Sequence, residues 1–529
     1  MKRFVFVLAA WTLQQLLCSA SVNAGGAETA PVYQFWSPVL GSHFYTIDEA
    51  EKARVLSQWP DVWTYEGIAF LAFPSGTADG TMPVYRFWSP VLGHFYTLDE
   101  AEKAWVLSHY PDVWAYEGVV FYAYAAGSGP EGTMPVYRVW SATLGDHFYT
   151  ISDTERFKVV GSYAGIWDDE GVAWYAYPPQ TAAVPTFTKG PWVQWVTSNS
   201  ATIMWQTDVA ADSGVRCGVG APETLAARDP AVVTLHRVAL TGLEPGAVYT
   251  YRATSGPASQ AGTFRTAPRA DQPFRLVVYG DTRTNADVHR QVAVAIADSG
   301  PGIVFHTGDL VGAGRDYGLW DTEFFGPAGG LLRSVPVVPV LGNHEYGGGG
   351  PPWFFYFFDR PLNEGWFAMT YGNARVIGLD TNVDYSTGSR QQDWLLQELQ
   401  SAAYRAATWR IVIFHHPPFT SATAHADDVM VQDQLVPLFE RHSVDVVFSG
   451  HSHTYERYLH DGIPYIVTGG GGGPLYELAA DVAPPIREFG LSIHHYCVLD
   501  VDSWAGTLQI AAVDLNGRIF DAVKLSKLR

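Results

Sequence analysis

Five short segments of this chain place metal-binding side chains at the ends of apolar runs. They are "FRLVVYGDTRTN" with Asp281, "GIVFHTGDL" with Asp309, "VPVVPVLGNHE" with Asn343 and His344, "WRIVIFHHPPF" with His415 and His416, and "VDVVFSGHSHTYER" with His451 and His453. Any one of them alone reads as a turn, because Gly permits unusual dihedrals and Asp or Asn bonds to nearby backbone. Together they offer carboxylates, an amide and imidazoles, a donor mixture that suits two hard or borderline cations such as Fe, Mn, Zn or Mg. Cations held in this way activate a bound water, so the chemistry would be hydrolysis without a Ser or Cys nucleophile.

Such residues must be held by elements that converge on one edge. From residue 273 to 529 apolar strand-like runs alternate with helical stretches such as "ADVHRQVAVAIADSG" and "QQDWLLQELQSA". This pattern predicts a layered α/β domain, in which ligands collect where buried strands end. The Gly runs "YGGGGPP" and "TGGGGGPLY" lack the Lys-Ser/Thr ending of a nucleotide loop, so they predict close backbone approach to the site instead of an ATP cradle.

The order GD, GD, GNHE, H, GHSH resembles that of the calcineurin-like metallophosphoesterases, and its details resemble the purple acid phosphatase branch. The resemblance implies an α/β/β/α sandwich and a two-metal centre acting on a phosphate ester, most simply a monoester, with diester or nucleotide substrates as the alternative. It assigns Asp309 as the bridge, Asp281 and His453 to the first metal, and Asn343, His415 and His451 to the second. His344 would contact the phosphate and assist the leaving oxygen, with Glu345 orienting its ring. Arg283 would form a bidentate phosphate contact or a structural ion pair. His416, adjacent to a ligand in an extended run, should diverge from His415 and either line the pocket or face away. Tyr455 and Glu456 would support the ligands from behind.

Two positions depart from the family pattern. Purple acid phosphatases carry a ligating Tyr three places after the bridging Asp, where this chain has Gly312; other members carry a His two places after the first Asp, where it has Arg283. The first metal therefore lacks a standard ligand, and water, Asn285 or substrate would fill the gap. Without tyrosinate, no purple charge-transfer colour is expected.

Upstream lie three copies of one motif, "PVYQFWSPVLGSHFYT", "PVYRFWSPVLGHFYT" and "PVYRVWSATLGDHFYT", beginning at Pro31, Pro83 and Pro135. Short aromatic units that cannot bury a face alone imply one composite core. Residues 29–179 are accordingly read as an all-β module resembling a β-trefoil, and also resembling a bacterial repeat family appended to exported enzymes. Its Trp36, Trp88 and Trp140 and its Phe-Tyr pairs form the core in the simpler reading; in the other they stack on a glycan or cell-wall polymer. His43, His94 and His147 are read as structural. Alternating residues over 184–269, with "LTGLEPGAVYTYR", resemble the fibronectin-type amino-terminal domain of purple acid phosphatases, expected to pack on the catalytic domain and wall its cleft.

Residues 1–24, with Lys2 and Arg3 before an apolar run and a small-residue site ending at Ala24, predict a cleavable export signal and a secreted or periplasmic protein. No later stretch is apolar enough for a membrane span. The formal net charge of -20 argues against a nucleic-acid scaffold as partner, although a bound cation still admits an anionic substrate. Beyond the signal only Cys217 and Cys497 remain, both in apolar runs and read as free thiols.

Overall fold

The computed structural model describes residues 23–24, 27–37, 42–90, 92–142, 145–152, 155–156, 159–160, 167–179, 184–220, 225–347, 350–358, 360, 365–480 and 485–527. The predicted export signal lies almost wholly outside them. The chain forms two compact units, Met1–Val184 with Ala231–Thr234, and Pro185–Pro230 with Leu235–Arg529. Among the described residues no helix is long and apolar enough to cross a membrane.

In the first unit each repeat contributes a three-stranded antiparallel set with the first strand in the middle, as in Ser42–Thr46, Ala30–Ser37, Thr64–Ala72. The copies are joined at a ring of three buried tyrosines. Tyr45 donates to the Tyr149 carbonyl (2.8 Å), Tyr96 to that of Tyr45 (2.8 Å) and Tyr149 to that of Tyr96 (2.6 Å), each hydroxyl also accepting a backbone N–H. Two junctions between copies carry an Arg fork, Arg86 on Glu51 and Arg138 on Glu102. The third copy meets the first through Asp146 and His43 Nδ1 at 3.1 Å. The all-β expectation is corrected here, because Glu49–Gln58 and Glu100–His109 are helices. Asp48 and Asp99 cap them by accepting N–H bonds in the first turn, and good helix formers fill the rest. Each copy thus brings three strands to the tyrosine ring, and the first two copies add a helix. The Phe-Tyr pairs are core, Phe44, Phe95 and Phe148 being buried.

The second unit begins with an all-strand segment. The strands Ser200–Val219 and Leu225–Thr241 are long enough that the first pairs with Phe187–Gln194 along one end and Val248–Ser255 along the other. Five strands are thus linked by one continuous hydrogen-bond ladder, as the all-strand expectation requires. The segment packs on the carboxyl-terminal α/β domain. Trp192 donates to the Phe357 carbonyl (3.2 Å) and Gln194 to that of Val337 (3.0 Å), and Trp192 and Met204 join that domain's core. Cys217 and Cys497 are buried and unbonded to each other.

The carboxyl-terminal domain is the expected four-layer sandwich. One sheet has six strands in the order Val337–Pro339, Ile303–His306, Phe274–Tyr279, His495–Asp502, Thr507–Asp514, Ile519–Ser526. The other has seven, with Ala374–Gly378, Trp409–Ile413, Val446–Ser449 and Ile463–Thr468 parallel at its centre. Strand alternation builds the layers: Leu276 and Val278 face the second sheet, while Val277 and Tyr279 face the helix Ala286–Ser299. Arg390–Glu398 covers the outer face of the second sheet through Leu395.

Candidate metal centre

Every predicted donor leaves its sheet at the carboxyl end of a parallel strand, so the two sheets deliver them to one edge of the sandwich. The chain turns sharply there. Asp281, Asp309 and His451 all have positive φ, at 58°, 58° and 65°. Non-glycine residues rarely adopt this region, at a cost of about 1–3 kcal/mol each that the surrounding bonds must offset. Glycine is required beside them: a Cβ on Gly342 would lie 2.2 Å from Asp309 Oδ1, and one on Gly473 would lie 2.5 Å from His453 Cε1. The second glycine run thus approaches the site as its composition predicts.

One end of the site is a converged donor set. His415 Nε2 and His451 Nδ1 each lie 3.0 Å from Asn343 Oδ1 and 3.2 Å from each other, and Asp309 Oδ1 is 3.4 Å from His415 Nε2. His415 donates through Nδ1 to the Thr307 carbonyl at 2.9 Å, which leaves the Nε2 lone pair for a ligand. Burial lowers the pKa of His415 and His451 far below the ordinary value, with the neighbouring imidazoles adding to it, so both rings are neutral. Burial, then the nearby Asp309, raises Asp281 well above the carboxylate range. Neutral imidazoles beside crowded buried carboxylates are the electrostatics a cation relieves, and this end fits one.

The other end differs from expectation. His453 donates through Nδ1 to the Pro474 carbonyl at 2.6 Å, so its Nε2 also presents a lone pair, and burial holds its pKa at about 4. The group facing that lone pair is Arg283 Nη2, at 3.4 Å, while Arg283 Nε donates to Asp309 Oδ2 at 3.3 Å. Asp281 accepts the backbone N–H of His451 at 3.0 Å, with Oδ1 3.6 Å from His453 Nε2. Asn285, offered by the sequence as the missing ligand, is instead an exposed helix cap whose side chain accepts from Val288 N–H at 3.4 Å. A capping position commits it to the orphan donors of the first turn.

Gly312 works through its backbone. Its N–H donates to Glu323 at 2.6 Å and its carbonyl accepts from His344 Nδ1 at 2.6 Å, leaving His344 Nε2 3.9 Å from Asp309 Oδ2. Glu345 does not orient His344, which corrects the expectation. Fully buried, its carboxylate needs donors, and it takes the backbone N–H groups of Asp309, Leu310, Val311 and Gly342 at 2.7–3.4 Å. His416 does not diverge from His415 as predicted. Both lie in a bend beyond the strand, where alternation lapses, and the His416 ring sits 4.7 Å from that of His451 with Nδ1 2.8 Å from Thr381 Oγ1. Glu456 ties Ser421 and Thr454 to the strand behind the site, while Tyr455 donates to Asp521.

Two residues escaped the sequence reading. His425, in a polar loop with no motif, lies with its ring 3.9 Å from that of His451 and tilted to it, and Tyr476, after the glycine run, lies parallel to His453 at 4.3 Å.

The fold is that of a metallophosphoesterase-type α/β sandwich, and the donor set at its edge is a candidate metal site. Residues 274–455 match the calcineurin-like phosphoesterase family model, and residues 2–124 and 94–188 match a domain of unknown function, DUF5648. The chain thus carries a calcineurin-like metallophosphoesterase domain that resembles purple acid phosphatases. Among its relatives in Arabidopsis thaliana are probable inactive purple acid phosphatase 27, 27% identical over 55% of this chain and 53% of the relative, and probable purple acid phosphatase 20, 26% identical over 49% and 65%. The matched region therefore spans about half to two thirds of these relatives. The solved purple acid phosphatase PPD1 from yellow lupin shares the fold with a TM-score of 0.55, at 20% identity over 68% of this chain and 77% of its own.

Proposed function

We propose that this chain is an exported metal-dependent phosphoesterase that hydrolyses phosphomonoesters, with phosphodiesters or nucleotides as the alternative substrates of the same centre. The observation that carries the reading is the convergence of His415, His451, Asn343 and Asp309 within 3.0–3.4 Å, with the second ring nitrogen of His415 tied to backbone. A cation held there supplies a water of lowered pKa and polarises a phosphoryl oxygen. The chain's own residues do the rest. Arg283 offers N–H groups to the phosphoryl oxygens, and His344, oriented by the Gly312 carbonyl and acting as the imidazolium, gives its Nε2 proton to the departing oxygen and is left neutral with Nδ1–H retained. His416 and His425 crowd the His451 ring and line the approach. A two-ion centre, as the family resemblance implies, would require Arg283 to leave Asp309 and His453.

The test measures metal content together with hydrolysis of p-nitrophenyl phosphate and bis(p-nitrophenyl) phosphate, for the purified protein and Asp309→Ala. Bound metal with turnover that the variant loses supports the proposal, and the ratio of the two rates ranks the substrate classes. No turnover across added Mn, Fe, Zn and Mg overturns it. Export rests on the amino-terminal pattern and is checked by sequencing the amino terminus of the mature protein. For the repeats, the half-buried Trp36, Trp88 and Trp140 favour a glycan surface as a second role, tested by polysaccharide pull-down with Trp-to-Ala variants of the full chain.

A further inference from the structure

We infer that the Arg283 guanidinium takes the place of the first cation, so that this centre holds one metal ion and one fixed organic cation. The inference rests on the phosphoesterase reading for its chemistry but on coordination geometry for its evidence. The acceptors that a first ion would need are already engaged. Asp309 Oδ2 and the His453 Nε2 lone pair receive Arg283 Nε and Nη2 at 3.3 and 3.4 Å, and Thr284 Oγ1 lies 3.4 Å from Nη1. That is a seat with a partner for each nitrogen. The planar fork matches it, and a guanidinium stays charged throughout the physiological range.

A metal ion cannot share this seat. Bound at about 2.0–2.2 Å from Asp309 Oδ2 and His453 Nε2, it would fall in the space the guanidinium nitrogens occupy, and two like charges would meet in a buried volume. Nor does either position the sequence pointed to offer a replacement ligand. Gly312 spends its N–H on Glu323 and its carbonyl on His344, and Asn285 caps its helix. Charge points the same way. Asp281 and Asp309 are the carboxylates at the seat, since Glu345 is turned toward backbone N–H groups behind it. Against these two carboxylates, one divalent ion plus a guanidinium leaves a single net positive charge, which a phosphate dianion more than offsets; two divalent ions plus the same Arg leave a much larger excess. Asp281 still belongs to the centre, because its carboxylate lies within 4.8 Å of the donor atoms of Asp309 and His415.

The experiment titrates the chelator-stripped full chain with MnCl2 and reads metal per chain by mass spectrometry and the Mn(II) signal by electron paramagnetic resonance. The expected result is one Mn per chain with an uncoupled six-line spectrum. His451→Ala should lower the affinity at least tenfold, and His453→Ala should keep it within threefold. Arg283→His, which supplies a ligand and removes the charge, should bind two Mn with an exchange-coupled spectrum. If that variant fails to fold by circular dichroism, Arg283→Ala serves, with a second Mn again expected. Two coupled Mn ions in the unaltered protein, or equal losses in His451→Ala and His453→Ala, overturn the inference. The outcomes separate from those for function: two ions with turnover would sink this inference alone, and one ion without turnover on any ester would sink the phosphoesterase reading alone.

Discussion

At the scale of single residues, the site's protonation logic is set by carbonyls. The Gly312 carbonyl fixes a proton on His344 Nδ1, so Nε2 is the nitrogen available to the reacting ester. A proton donor matters most when the leaving oxygen is a strong base. His344→Asn is therefore expected to lower kcat by roughly 10²–10⁴ for an alkyl phosphate and far less for p-nitrophenyl phosphate, measured side by side on one preparation. Equal losses for both esters would make His344 a binding residue instead. His344 itself was legible in the sequence because it stands beside a strand-end Asn. Its partner was not, since a backbone carbonyl 32 positions away leaves no mark on residue type. The same limit applies to Arg283, whose type suggested phosphate contact or an ion pair but whose position between Asp309 and His453 exists only after two sheets have met.

At the scale of elements, the phosphoesterase sandwich was readable because buried parallel strands are continuous apolar runs and their ends are marked by Gly-Asp and Gly-Asn. The repeat helices were not, because they carry a weak apolar stripe: Val55 is the buried residue of Glu49–Gln58 and Val106 that of Glu100–His109. The cap signal was nevertheless present, with Asp48 followed by Glu51 and Asp99 by Glu102. Those glutamates serve the next repeat, receiving Arg86 and Arg138. Loss of a cap costs about 1 kcal/mol, so Asp48→Ala/Asp99→Ala should lower the repeat unit's melting temperature by several degrees in calorimetry. Behind the metal centre the comparable element is the loop cluster gathered on Glu345. Glu345→Ala strands buried N–H groups at about 1–3 kcal/mol apiece, less than additively; the urea midpoint should fall sharply, and Glu345→Gln, which keeps an acceptor oxygen, should recover part of it.

At the scale of the whole molecule, acid is a hazard that the phosphatase reading makes relevant. The unit that carries the candidate metal centre also buries neutral histidines away from it. His236 lies stacked on Trp205 at 4.8 Å, with Ser213 and Thr207 hydroxyls 2.8 Å from its two ring nitrogens, and burial lowers its pKa from 6.5 to about 4, with Asp212 opposing weakly. His289 and His495 are lowered to about 4 by the same cause. Because these rings bind protons more readily in the unfolded chain, their contribution to stability is complete above pH 6.5. It declines as pH falls toward 4 and is constant below that. For His236 alone the loss is on the order of 3 kcal/mol across that window. Urea unfolding of the full chain at pH 7.5, 6, 5 and 4 should show stability falling with acidity. His236→Gln, which preserves partners for the hydroxyls without a titrating group, should flatten the slope between pH 6.5 and 4. An unchanged slope in that variant would mean that His236 does not couple protonation to folding. If the slope flattens, any fall of hydrolysis below pH 5 in the unaltered protein must be corrected for unfolding before it is ascribed to His344 or the metal ligands, and the variant supplies that correction directly.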